Sequence, residues 1–261
     1  MIETVIVILL SLTFGSFANN VISYFVNSNK FDLLHSTCFC GEKELKLIEL
    51  IPILSYVMQK GNCKECQKRI SLRYPLVEIL TVIIGMLAYH LFGFEFRTLI
   101  LFLILYILLM ISVIDYSKLI IPNILSIVLL GLVAGLLLIN SKPILTRLGL
   151  SFLVALSIIG LQRLFERFGH KDVLGVGDVK LIFVLSLLLN IADSMIAIWV
   201  SSLIGLITIT ILNIKRIKQL KEIKIPFGLY LSIGFTLVYL WNLKSDTNGL
   251  GSIITKLCQM K

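Results

Sequence analysis

Charge is what this chain has least of. Only 15% of its 261 residues are Asp, Glu, Lys or Arg, while 57% are hydrophobic. Soluble domains carry about 25% charged residues, so the composition excludes that class and points to a membrane protein. Lys and Arg are absent until Lys30, and the chain starts Met1-Ile2-Glu3. A cleaved signal peptide would carry a basic start and a small-residue cleavage site. The first apolar run, Thr4 to Asn29, is therefore expected to be a transmembrane helix, with a signal peptide as the alternative. Basic patches interleaved with aromatics are also missing, so the net charge of +9 is not a nucleic-acid footprint. In a membrane chain such an excess sets topology.

What is present is a series of eight charge-poor runs, at roughly residues 3–24, 74–93, 97–114, 121–139, 146–162, 179–192, 194–214 and 225–243. The expected fold is all-α: a polytopic membrane protein of about eight transmembrane helices with a Cys-rich cytoplasmic loop. The sixth run is short for a crossing and must tilt or begin earlier, inside Gly175 to Lys180. With the amino terminus outside, segments 25–73, 115–120, 163–180 and 215–224 become cytoplasmic. They hold 18 of the 24 basic residues, the asymmetry that orientation requires. The organisation that follows is a first helix at 1–24, a cytoplasmic cysteine-containing loop at 25–73, and a seven-helix membrane domain at 74–261.

The most informative stretch is Gly175-Val176-Gly177-Asp178-Val179-Lys180, between a polar loop and an apolar run. A carboxylate at a membrane boundary is costly and is a functional hypothesis by default. Flanking glycines permit close backbone approach and unusual dihedrals, which could aim the Asp at a substrate. A second carboxylate, Asp115, ends the apolar run Thr98 to Ile114 and precedes Ile121-Pro122-Asn123. Both acids fall on the expected cytoplasmic side. Two such carboxylates are what an aspartic protease at a bilayer needs. Like charges close together cannot both ionise cheaply, so one is kept protonated and the other ionised. The ionised one takes a proton from water, and the protonated one stabilises the oxyanion.

Cys38, Cys40, Cys63 and Cys66 lie together in the polar loop, in two close pairs, while Cys258 is alone near the carboxyl end. Cytoplasmic thiols stay reduced, which favours a metal over disulfides. Four thiolates would close a structural zinc site without an open position for water. Reduced, metal-free thiols are the alternative. Gly15-Ser16-Phe17-Ala18-Asn19-Asn20 in the first span reads either as helix packing or as part of a substrate or cofactor pocket, with composition favouring packing. Glu78, about one turn inside the second span after Arg73-Tyr74-Pro75, is an intramembrane acid that either pairs with a Lys or Arg or lines the active site. Arg73 and Tyr74 suit interfacial anchoring. His90 reads as an interfacial residue. Pro226-Phe227-Gly228 is either a plain helix start or a third wall around the aspartates.

Taken in order, Gly15-Ser16-Phe17, the paired cysteines, Glu49-Leu50-Ile51-Pro52, Arg73-Tyr74-Pro75 with Glu78, Asp115 with Ile121-Pro122-Asn123, Gly175-Val176-Gly177-Asp178-Val179-Lys180 and Pro226-Phe227-Gly228 resemble the type IV prepilin peptidases. These are bacterial Gly-x-Gly-Asp membrane aspartic proteases, and the resemblance covers nearly the whole chain. It implies an inner-membrane enzyme that cuts the basic leader from prepilins or pseudopilins after a Gly on the cytoplasmic face. It implies Asp115 and Asp178 as the catalytic pair. It also implies methylation of the new amino terminus with S-adenosylmethionine, the activity of the family's bifunctional members with a cysteine loop. Two positions depart from the family pattern: Gly41 stands where the second cysteine is expected, and Leu229 where Pro usually follows Phe-Gly. A peptidase without methyltransferase activity is one alternative, and a transporter using the aspartates as cation sites is the alternative from another class. It predicts acids near the midplane and internal repeats, whereas both acids lie at one face and the halves do not match.

Overall fold

The computed structural model describes residues 2–27, 56, 59, 61–62, 69–141, 143–168, 174–212 and 225–247. Among them are eight helices and no strand: α1 (Ile2–Asn27), α2 (Arg73–Phe92), α3 (Phe96–Lys118), α4 (Asn123–Ile139), α5 (Ile144–Arg167), α6 (Val176–Ser186), α7 (Ile191–Leu212) and α8 (Phe227–Thr247). Cys38, Cys40, Cys63, Cys66 and Cys258 lie outside the described residues, as does the basic run Lys215 to Lys224. Next to the second cysteine pair, Asn62 and Arg69 form an isolated antiparallel bridge, and the Ile70 N–H donates to the Gly61 carbonyl at 2.8 Å.

Five helices, α1, α2, α3, α5 and α7, are long and apolar enough to cross a membrane, and α4 and α8 contain shorter apolar stretches. Burial and apolarity form these helices; propensity contributes little, since β-branched residues run through all of them. The lipid-facing sides are apolar as well, which is why Leu145, Ile127 and Trp199 are among many large side chains left exposed. Ser and Thr inside the helices return their hydroxyls to the carbonyl four residues back, as in Ser112 to Leu108, Ser151 to Arg147, Thr208 to Ile204 and Ser232 to Gly228. That leaves no hydroxyl of these four to be solvated by lipid.

The chain forms two compact units, Met1–Lys118 and Leu119–Lys261. In the first, α1 packs along α2, and both touch α3. The α1–α2 seam is built from small and polar residues four apart on α1. Ser11 meets Gly85, and Gly15 lies so close to α2 that an added Cβ would stand 2.9 Å from the Glu78 Cα. Asn19 Nδ2 donates to the Tyr74 carbonyl at 3.0 Å, and Ser23 bonds the Tyr74 hydroxyl at 3.2 Å. Part of the small-residue patch packs here: Ala18 and Asn19 are buried in the seam, while Phe17 and Asn20 face outward. On α3, Tyr106 donates its hydroxyl to the Phe14 carbonyl at 2.9 Å and stands edge-on to the Phe14 ring.

In the second unit α6 packs on α4, α5 and α8, and α7 on α8. The expected sixth run, 179–192, resolves into a helix of 11 residues, followed by a break at 187–190. At 1.5 Å per residue α6 is about 16 Å long, roughly half the ~30 Å hydrocarbon thickness. The break exposes carbonyls that need partners, and Arg147 of α5 donates to the Leu189 carbonyl at 2.6 Å. Close by in sequence, Asp193 in the first turn of α7 accepts from Asn242 of α8 at 2.9 Å.

Candidate active site

Asp178 occupies the first turn of α6, where helix backbone N–H groups have no intrahelical acceptor. Its Oδ2 takes the Gly175 N–H at 3.2 Å, and its own N–H donates to the Gly175 carbonyl at 3.1 Å. A carboxylate here is favoured by the positive end of the helix dipole. The side chain is partly exposed.

The two glycines before Asp178 have separate jobs, and neither uses left-handed backbone. Gly175 is extended, at φ −72° and ψ 146°, and positive φ among described glycines is confined to Gly61 and Gly93. The unusual dihedrals expected from sequence are therefore not needed; close approach is. A Cβ on Gly175 would sit 3.1 Å from Asp178 Oδ2, and a Cβ on Gly177 would sit 3.2 Å from the Cβ of Ile121. Gly177 thus seats the start of α6 directly on the segment leading into α4. Lys180 joins the same seat, its Nζ donating to Asn123 Oδ1 at 3.1 Å.

Asp115 lies in the first unit, three residues before the end of α3, which continues through Lys118. The helix thus runs past the end of the apolar run. Asp115 is only 4% exposed, in contrast to Asp178. Beyond Lys118 the chain turns through Leu119 at φ 57°, the left-handed position that helix ends usually give to Gly. Each aspartate is held by its own unit.

Glu78 is also buried, at 8% exposure, where Gly15 crosses α2. Arg73 lies over the Tyr74 ring at 5.0 Å and donates to Ser23 at 2.9 Å. The pair is part of the α1–α2 seam as well as the start of a span. His90 is exposed at the opposite end of α2. Pro226 directly precedes α8, whose Gly228 is buried, so the Pro-Phe-Gly stretch starts that helix. Among the described residues no three His, Cys, Asp or Glu side chains cluster to hold a metal.

The sequence matches the Bacterial Peptidase A24 N-terminal domain over residues 9–92 and the Type IV leader peptidase family over residues 100–210. It is 31% identical over 266 residues to the prepilin leader peptidase/N-methyltransferase of Aeromonas salmonicida, covering 90% of both chains. The chain belongs to the type IV leader peptidase family. Its similarity to the protein of the same name from Aeromonas hydrophila is 31% over 90% of both chains, and to that from Pseudomonas putida 30% over 77% of this chain and 70% of the other. No solved structure matches it. Both aspartates fall inside the leader peptidase match, while the α1–α2 seam, from Ser11 to Gly85, falls inside the N-terminal one.

Sequence reasoning singled out both aspartates as candidates and did not foresee the Lys180–Asn123 bond or the Arg147 cap. The signal for the first was available: two polar residues, each just inside an apolar helix, in the two stretches that flank the acids. The second had none, because a carbonyl at a helix break is invisible until the break is known.

Proposed function

We propose that this protein is a prepilin leader peptidase that also methylates the amino terminus it creates. The observation that carries the reading is the match over 90% of the chain to proteins named for both activities, with Asp115 and Asp178 at helix ends inside the matched peptidase stretch. Membership of a peptidase family favours hydrolysis over ion transport. The substrate would be a prepilin or pseudopilin whose basic leader is cut after Gly. The working division of the chain is the helix 1–24, the loop 25–73 and the peptidase domain 74–261.

The chemistry is water addition to a peptide carbonyl. Asp178, partly exposed and at a helix amino terminus, and Asp115, buried near the end of α3, act as a pair: one takes the proton of the attacking water, the other donates to the carbonyl oxygen. After cleavage the new amine is the nucleophile for methylation, and it must be neutral to attack. S-adenosylmethionine, when bound, supplies the electrophilic methyl group. A cytoplasmic active site in a bacterial inner membrane, with about eight crossings, is supported by the 18 of 24 basic residues in the segments assigned to that side. Structural zinc on Cys38, Cys40, Cys63 and Cys66 is supported by their spacing and by the Asn62–Arg69 bridge, which brings together the two ends of the stretch holding Cys63 and Cys66.

The test is incubation of the purified protein with a prepilin and labelled S-adenosylmethionine, with mass analysis of the product. Leader loss together with one added methyl group is expected. An intact prepilin would overturn the peptidase, an unlabelled cleaved product the methyltransferase, and absence of zinc by elemental analysis the metal site.

A further inference from the structure

We infer that Lys180 and Asn123 are positioning residues for Asp178, forming a polar tether that holds the start of α6 in register with the start of α4. The inference rests on the reading of Asp178 as catalytic and adds residues to which that reading gives no role. Three observations converge within the second unit. Lys180, two residues after Asp178, donates to Asn123 Oδ1 at 3.1 Å across 57 residues of sequence. Gly177, directly before Asp178, contacts Ile121 so closely that a Cβ would stand 3.2 Å from its Cβ. Pro122 between Ile121 and Asn123 is buried, and its ring limits φ, observed at −63°.

The seat therefore has an apolar half and a polar half. The apolar half sets how near α6 approaches the 121–123 segment but resists sliding along it poorly, since dispersion contacts are not directional. A hydrogen bond from an ammonium is directional and charge-assisted. It adds the missing constraint on rotation and axial slip of a helix only 11 residues long, whose far end runs into the 187–190 break. Both side chains are exposed, so the bond contributes little to stability. Its effect falls on where the carboxylate points, and a displacement of about 1 Å at a reacting group is worth up to about a hundredfold in rate.

The experiment compares steady-state leader cleavage by Asn123→Leu, Asn123→Asp, Lys180→Met, Lys180→Arg and the Asn123→Leu/Lys180→Met double variant in the full chain. Asp178→Asn serves as the reference, and thermal unfolding in detergent is followed throughout. Asn123→Leu and Lys180→Met should each lower kcat roughly tenfold, with KM within about twofold and the melting temperature nearly unchanged. The double variant should fall no further than the worse single one, because both remove one bond. Asn123→Asp and Lys180→Arg, which keep acceptor and donor, should recover most of the loss. Normal kcat in both single variants would overturn the tether. So would a rise in KM alone, which would make Lys180 a substrate contact, or multiplicative losses in the double variant. An active Asp178→Asn protein would instead overturn the catalytic reading beneath it.

Discussion

Asp115 and Asp178 are held in opposite ways. Asp115 sits near the carboxyl end of a helix of 23 residues, twelve of them buried, and is buried itself. Asp178 sits in the first turn of a helix of 11 residues, partly exposed, its carboxylate bonded to the Gly175 N–H. The first is placed by the packing of a long rigid element. The second is placed by local devices: a glycine contact, a backbone hydrogen bond and a lysine reaching to another helix. A long helix resists small perturbations because many contacts share the load; a short one depends on a few named atoms.

The largest effect should erase the difference. Asp115→Asn and Asp178→Asn each remove one titratable oxygen at constant shape, and each is expected to lower leader cleavage at least about a thousandfold while the protein still inserts. Retention of near-normal turnover by either variant would remove that residue from the pair. Next comes Gly177→Val, which puts a branched side chain against Ile121. Cleavage should fall tenfold or more, on the order of what misplacing a reacting group costs. Normal kcat there would mean that Asp178 does not depend on its seat.

The first unit should answer in stability. Gly15→Leu forces bulk against the Glu78 backbone and is expected to cost about 1–3 kcal/mol by thermal or denaturant unfolding. Tyr106→Phe removes the bond to the Phe14 carbonyl and should cost about 0.5–1 kcal/mol, with cleavage at saturating substrate little changed. The smallest effect belongs to Gly149→Ala in α5, where an added Cβ meets nothing within 4 Å. Stability should stay level or rise by up to about 1 kcal/mol. A large loss at Gly149 would mean that face is covered.

Hydropathy alone marked the eight helices among the described residues, because a chain with so little charge has only its few polar residues to punctuate it. Their ends were less legible. The helix carrying Asp115 runs on through Tyr116, Ser117 and Lys118, since polar residues at a membrane boundary end an apolar run without ending a helix. Conversely, apolar Leu187, Leu188 and Leu189 continue an apolar run through a helix break, so α6 reads as longer than it is.

What the sequence by itself determined is the class of protein and the place of the eight helices among the described residues, and it singled out the two carboxylates, because transfer into lipid depends on local composition and an acid at the end of an apolar run is conspicuous. Tertiary structure decided why the residues around them are what they are. Gly15 is small because α2 crosses there, Gly177 because Ile121 does, and Gly175 because a Cβ would crowd the Asp178 carboxylate. Lys180 meets Asn123, and Arg147 meets Leu189, over separations of 57 and 42 residues. Close approach and hydrogen-bond pairing depend on distances between segments far apart in the chain, and no local pattern encodes those.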